Sequence, residues 1–350
     1  MKDRDVDNGE GAAPIRRFVL EQVDDHPTDL SSAVVKHFGV SRQWATRQIA
    51  RLVGEGALVA EGKTRNRRYR RASVTVEASY VTRGLEEHKV WEEFALPRLG
   101  DLPENVLHIC SYGFSEMVNN VIDHSESPAL RVSIERAASV VKLRIVDDGV
   151  GIFNKIQRDS GLGSGRDAIF DLTKGKFTTD PARHTGEGIF FTSRMFDSFA
   201  ILSGVLYLRH KRDGRDWLLE DRSADKPMIG TAVLLEIDPK SNHTDKEVFD
   251  RYATVPDEYG FDRTIVAVGF ASTEPLISRS QARRVVARLE RFKEVVLDFR
   301  NVDFIGPAFA DEVFRVFKRQ HPEVSLVTLN ASNEVEKMIA KVESDRSTTH

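Results

Sequence analysis

The amino-acid sequence predicts a multidomain α+β protein, and three observations predict it. Residues 14–72 carry three segments of helical period followed by two short extended pieces. Residues 101–240 mix long helices with strands of alternating character. Residues 241–343 form the last unit, in which strand and helix segments alternate from about 255 onward, the pattern of a small α/β domain. A chain of 350 residues has room for roughly two or three domains.

The opening stretch MKDRDVDNGEG is polar and has no apolar signal core, so residues 1–13 are expected to be a disordered tail. PIRRFVLEQVDDH then has helical spacing through Ile15, Phe18, Val19 and Val23. DLSSAVVKHFG reads as a second helix ended by Gly39. Ser41 caps a third, SRQWATRQIARLVGEG, with Gly54 and Gly56 at its exit. The pieces ALVAEG and RNRRYRR are joined by a basic turn. Three helices and a hairpin make a winged helix-turn-helix plan, whose third helix enters the major groove of DNA. Ser41, Arg42, Gln43, Thr46 and Arg47 lie at its start and exposed face, while Trp44, Ile49 and Leu52 face inward. Arg and Gln can read base edges, and Ser, Thr and Arg can hold phosphates. The wing adds Lys63, Arg65, Arg67, Arg68 and Arg70, so residues 1–72 hold 14 Lys+Arg against 10 Asp+Glu. DNA is the expected partner of this unit.

Residues 73–100 read as a connector, with LEEHKVWEEFALPRL a helix stopped near Pro97. After it, RVSIERA, VVKLRIVDDG, AILSGVLYLRH, RDWLLED and TAVLLEID have strand character, which implies a mostly antiparallel sheet under a helical layer. The chain is 40% hydrophobic and 30% charged with formal net charge −3, so the whole molecule is not a polyanion binder. The lone Cys110 excludes an internal disulfide framework and fits a reducing compartment. No apolar run approaches the ~20 residues of a membrane helix, so a cytoplasmic protein without membrane contact is expected.

Four motifs carry chemistry. In FSEMVNNVIDHS, Glu116, Asn120 and Asp123 fall on one helix face. KLRIVDDGVGIF ends a strand in Asp147 and follows it with Gly149 and Gly151. In HTGEGIFF, Gly186 and Gly188 open another helix, and MIGTAVLLEID places Thr231 at the start of a strand. The Asn120 side-chain oxygen can serve as a hard ligand for Mg²⁺. Glu116, one turn earlier, can accept a proton from an attacking water or hydroxyl. Asp147 can accept a hydrogen bond from an adenine amino group, and Gly149 and Gly151 let the backbone approach the base. Gly186 and Gly188 let N–H groups at a helix start meet phosphate oxygens.

This order and spacing resemble the GHKL superfamily of ATP-binding domains, the fold of gyrase, MutL, heat-shock chaperones and histidine kinases, over residues 101–240. The resemblance implies ATP and Mg²⁺ as cofactors, Thr231 beside the adenine-binding aspartate, and Asp123 in the nucleotide site. It also implies a lid over about 152–185 containing Gly161, Gly163, Gly165, Lys174 and Lys176. The GLGSG run there is not a phosphate loop of the Lys-Ser/Thr kind. Two features place the chain within the superfamily. Glu116 stands where histidine kinases usually have Asn, as in the family's ATPases and serine kinases. The pattern Gly-x-Gly-Leu-Gly lacks its third glycine, because Ile189, Phe190 and Phe191 follow Gly188.

EVVLDFRNVDFIGPAFADEVF resembles the core of STAS domains, in which a serine at a helix start is phosphorylated by a GHKL partner. The matching positions Gly306, Pro307, Ala308 and Phe309 hold no hydroxyl. The resemblance is therefore to a STAS-like group of unknown function, which implies docking or dimer contacts with a protein partner rather than a phospho-switch. Residues 344–350 are a polar tail. Together these readings imply a DNA-associated regulator in which Mg·ATP binding and slow hydrolysis switch DNA or partner binding, with a homodimer as the expected assembly. The alternatives are a protein serine/threonine kinase of the anti-sigma type acting on a STAS partner, and an ATP-gated dimeric DNA clamp.

Overall fold

The computed structural model describes residues 12–344 apart from 24, 64–66, 138, 178–185, 213–216, 223–225, 256–259 and 273. Arg65, most of both expected tails and the end of the expected lid lie outside the described residues.

The first unit comprises α1 (Ala12–Gln22), α2 (Leu30–Phe38), α3 (Arg42–Gly54) and the antiparallel pair β1 (Leu58–Glu61) and β2 (Arg68–Arg71). Gly39 ends α2 in the left-handed region at φ 66°, which a residue without Cβ adopts freely. Two residues later the Ser41 hydroxyl accepts from the Trp44 N–H at 3.2 Å and starts α3. The turn is thus set by one glycine and one cap. Val19, Leu30, Val34, Trp44, Ile49 and Leu58 belong to a core cluster private to this unit.

The second unit opens with β3 (Ser73–Val81) and then a helical run made of α4 (Glu87–Val90), a π turn (Trp91–Ala95) and α5 (Leu96–Leu99). There follow α6 (Glu104–His124), β4 (Ala129–Ala137), β5 (Val140–Asp147), α7 (Ile152–Ser160), α8 (Gly165–Lys174) and α9 (Gly188–Met195). The unit closes with β6 (Ser198–Gly204), β7 (Leu206–Lys211), β8 (Trp217–Asp221) and β9 (Met228–Ile237). The seven strands form one sheet in the order β3-β4-β5-β9-β6-β7-β8, with every neighbouring pair antiparallel. Leu143, Ile145, Val233 and Leu235 join Phe114 and Val118 of α6 in the core. The alternate residues Glu77, Glu135, Lys142 and Arg144 line an open hollow on the sheet.

One expectation for residues 73–100 needs correction. The stretch 73–81 is an edge strand paired along its whole length with β4, not a connector. Its Val76, Ala78 and Tyr80 alternate onto the core, while Val74 and Val81 are exposed as an edge permits. The helical run ends at Leu99, two residues past Pro97, near where the sequence places its stop. Pro97 lies inside the last turns of this continuous run, just after the π turn, and Gly100 follows it.

The third unit contains α10 (Asp245–Tyr252), β10 (Arg263–Ala267), α11 (Arg279–Val286), β11 (Glu294–Asp298) and α12 (Pro307–Ala310). A π turn (Asp311–Phe317), α13 (Lys318–Gln320), β12 (Ser325–Leu329) and α14 (Asn333–Ser344) complete it. The strands β10-β11-β12 are parallel, and each crossover carries a helix. The main core cluster runs from Val90 to Val342 without a break, so the second and third units share one apolar interior.

Candidate functional site

α6 is long enough to serve two purposes. Its first half buries Val106, Ile109, Cys110 and Phe114 against the sheet. Its second half keeps Met117, Val118 and Val121 inward and brings Glu116, Asn119 and Asn120 to a cavity of about 320 Å³. Asp147 reaches the same cavity from the end of β5, Gly151 and Lys155 from the start of α7, Gly186 and Gly188 from the start of α9, and Thr231 from β9. Four segments far apart in sequence therefore meet around one space, whose size is that of a small-ligand pocket.

The acidic end of the cavity is built by strand register. Asp147 and Thr231 are direct cross-strand partners. The Thr231 hydroxyl accepts from the Ile152 N–H at 3.0 Å, and Gly149 N–H donates to Asp147 Oδ1 at 2.8 Å. Asp147 is buried, and that burial pushes its carboxyl above the usual range against the opposing hydrogen bonds from Gly149 and Thr231. The next residue behaves differently. Asp148 is half in solvent and pairs with Arg131, which lowers its pKa.

Gly149, expected to let the backbone approach the base, is not among the lining residues. A Cβ there would overlap the Ser125 carbonyl, which already accepts from the Val150 N–H at 2.9 Å. Gly149→Ala is accordingly expected to destabilise the fold by about 1–3 kcal/mol, measurable by urea unfolding. An unchanged midpoint would show that the loop can shift away from α6.

Glu116 is partly buried, and its carboxyl is pushed up first by that burial and then by the Glu187 and Glu87 carboxylates. Its Oε2 lies where a Cβ on residue 188 would stand, so Gly188 is what allows the acid to meet the start of α9. Asn120 directs its amide N–H at Met117 Sδ, 3.9 Å away. Lys155 is 17% exposed and pairs with Glu126 at 3.2 Å and Asp159 at 3.5 Å.

Besides Gly149, three expected residues are not brought to the cavity. Asp123 is exposed and is not among the lining residues, although His124 and Ser125 just beyond it are. Lys174 is buried, and its ammonium is committed to Asp171 and to the Arg284 and Ala287 carbonyls. Lys176 donates to the Arg291 carbonyl at 3.0 Å and lies over the Phe261 and Phe292 rings. Conversely, Asn119, Lys155, Glu187, Leu172 and Phe177 line the cavity without having been singled out from the sequence. Lys155 had a readable signal. A helix that starts just after Gly151 presents its first turns to whatever that glycine faces.

The resemblance would place a third glycine at position 190, where the chain has a phenylalanine with a packing role. Phe190 occupies that position, lines the cavity, and packs on Phe261 and Tyr252 with ring centroids 4.5 and 4.9 Å away. Cys110 is fully buried, and that burial pushes its thiol up to about 12.

On the first unit, Ser41, Arg42, Gln43, Thr46 and Arg47 are all exposed, while Trp44, Ile49 and Leu52 are buried. The Thr46 hydroxyl donates to the Arg42 carbonyl at 2.8 Å, so it is engaged within its own helix. Lys63, Arg67, Arg68 and Arg70 are exposed on the hairpin. Arg67 stacks over Tyr69 at 5.4 Å, and Arg70 pairs with Glu61 at 2.6 Å. Among the described residues no helix is long and apolar enough to cross a membrane, and no cluster of three or more metal-ligating side chains occurs.

No curated protein matches the chain. Residues 281–336, which run from α11 to the start of α14, match the family described as a STAS-like domain of unknown function (DUF4325), and this C-terminal unit is therefore STAS-like.

Proposed function

We propose that the cavity takes adenine nucleotide with Mg²⁺ and that occupancy switches the first unit's hold on DNA. What supports this reading is one observation: Glu116, Asn120, Asp147, Gly151, Gly186, Gly188 and Thr231, from four separate motifs, line a single space. The residues present fit the ligand. Buried Asp147 supplies an acceptor on the cavity wall, where a purine amino group would lie. Asn120 would hold Mg²⁺ through its side-chain oxygen without adding charge. The backbone at Gly186 and Gly188, together with Lys155, would meet the phosphates. Bound Mg²⁺ would neutralise phosphate charge and polarise the terminal phosphoryl group. Glu116 is the proton acceptor for the incoming hydroxyl, and its raised pKa brings it nearer the range suited to a general base. The exposed Arg42, Gln43 and Arg47, with the basic hairpin, supply the DNA face.

The test is a DNA-binding titration of the full chain with and without Mg·ATP, at two salt concentrations. Mg·ATP is expected to change DNA affinity about tenfold, and Arg47→Ala is expected to weaken binding while lowering the salt slope by about one. Equal affinity with and without nucleotide would remove the switch. Transfer of the terminal phosphate to a protein hydroxyl would replace it with kinase chemistry.

A further inference from the structure

The STAS-like unit reaches the cavity wall through α8 and the residues that follow it. Lys174, 2% exposed, donates from Nζ to the Arg284 carbonyl at 2.7 Å and the Ala287 carbonyl at 3.2 Å. These carbonyls belong to the C-terminal end of α11, where a cation is favoured by the helix dipole. Two ion pairs run alongside, Asp167 with Arg284 at 3.0 Å and Asp171 with Arg288 at 3.6 Å. The Thr264 hydroxyl of β10 donates to the Lys174 carbonyl at 2.6 Å, and Arg291 and Lys176 exchange side-chain bonds with each other's carbonyls.

These anchors adjoin residues that line the cavity. Leu172 lies between Asp171 and Lys174 in sequence, and Phe177 carries the Arg288 guanidinium over its ring at 4.3 Å. Phe190 touches the cavity on one side and Phe261 on the other. Arg288 is also held at φ 68°, a left-handed conformation that costs a side-chain-bearing residue free energy unless its surroundings demand it.

We propose that the STAS-like unit regulates the cavity in cis, with Arg288 as a positioning residue that holds the wall formed by Leu172 and Phe177 in its ligand-binding shape. The proposal rests on the reading of the cavity as a nucleotide site. Coupling of this kind is reciprocal: if docking of the unit favours nucleotide, nucleotide must favour docking to the same degree. A protein partner that pulled α11 away from α8 would then lower nucleotide affinity, which gives the unit a regulatory role that requires no phosphorylatable serine.

The experiment uses the full chain, a non-hydrolysable ATP analogue with Mg²⁺, calorimetry, and hydrogen exchange of peptides covering 279–291. Arg288→Gly removes the guanidinium and also relieves the left-handed backbone, so its thermal midpoint should hold or rise. Affinity for the analogue is expected to fall about tenfold in this variant, and the analogue should slow exchange over 279–291 in the wild-type chain. Equal affinities, or exchange over 279–291 that ignores the analogue, overturn the proposal. If Arg288→Gly melts several degrees early, Arg284→Ala decides instead, because it removes only the ion pair to Asp167. A wild-type chain that takes no analogue overturns the nucleotide reading and this one together. A wild type that binds, beside variants that bind equally well, overturns this one alone.

Discussion

Replacing Asp147 with asparagine is expected to weaken adenine-nucleotide binding about a hundredfold while leaving the fold intact. The side chain lies 3% exposed at the end of β5, opposite Thr231. On the proposed reading a purine amino group would bring a donor to this point, and a carboxylate oxygen would accept it. An amide can turn only its NH₂ toward that donor if its oxygen keeps the bond from Gly149 N–H. Two donors then face each other in a water-poor space, and losing one hydrogen bond to a charged group costs about 1.5–3 kcal/mol. Stability should change little, because the buried negative charge that desolvation penalises is gone. Calorimetry with ATP and Mg²⁺, beside a thermal melt, checks both halves. Wild-type affinity in the folded variant would move the base elsewhere.

Glu116→Gln is expected to separate binding from turnover. Nucleotide affinity should stay within a few-fold of wild type, and phosphate release should fall by about 10²–10⁴-fold, the usual worth of a positioned base. The same change has a stability signature with a definite sign. Burial and the neighbouring Glu187 raise the Glu116 pKa above its ordinary value of 4.5. Between that value and the raised one the folded chain binds more protons than the unfolded chain, so stability falls as pH climbs through the window. Below 4.5 the penalty is absent, and above the raised value it is complete. Glutamine cannot ionise. The variant should therefore melt above wild type at pH 8 and level with it near pH 4. Unchanged turnover would remove Glu116 from the chemistry, and a variant that melts lower at pH 8 would show that the carboxylate stabilises the fold.

Much of the architecture was legible from local pattern. The helices at 12–22, 30–38 and 42–54 follow from apolar spacing, and two of their boundaries from Gly39 and Ser41. The strands β4, β5 and β9 follow from alternation, because one face of their sheet meets the core. Such signals are short-range, written in the side chains of the element itself. The strand at 73–81 was missed because an edge strand buries little, so its Val74 and Val81 broke the pattern that burial would have sharpened.

The candidate site divides along the same line. Sequence alone determined which residue types could serve an adenine nucleotide, and that Glu116 and Asn120 share a face, since one turn of helix is a local fact. Only the tertiary structure decided which of the chosen residues meet. It brought Asp147, Thr231 and Gly188 to the Glu116 face, left Asp123 in solvent, and drew Lys174 and Lys176 away to the STAS-like unit. A lysine in a glycine-rich stretch reads the same whether its ammonium faces a phosphate or caps another helix. That choice depends on which carbonyls lie within 3 Å or so once the core has closed, and the carbonyls that claim Lys174 come from a unit more than a hundred residues downstream.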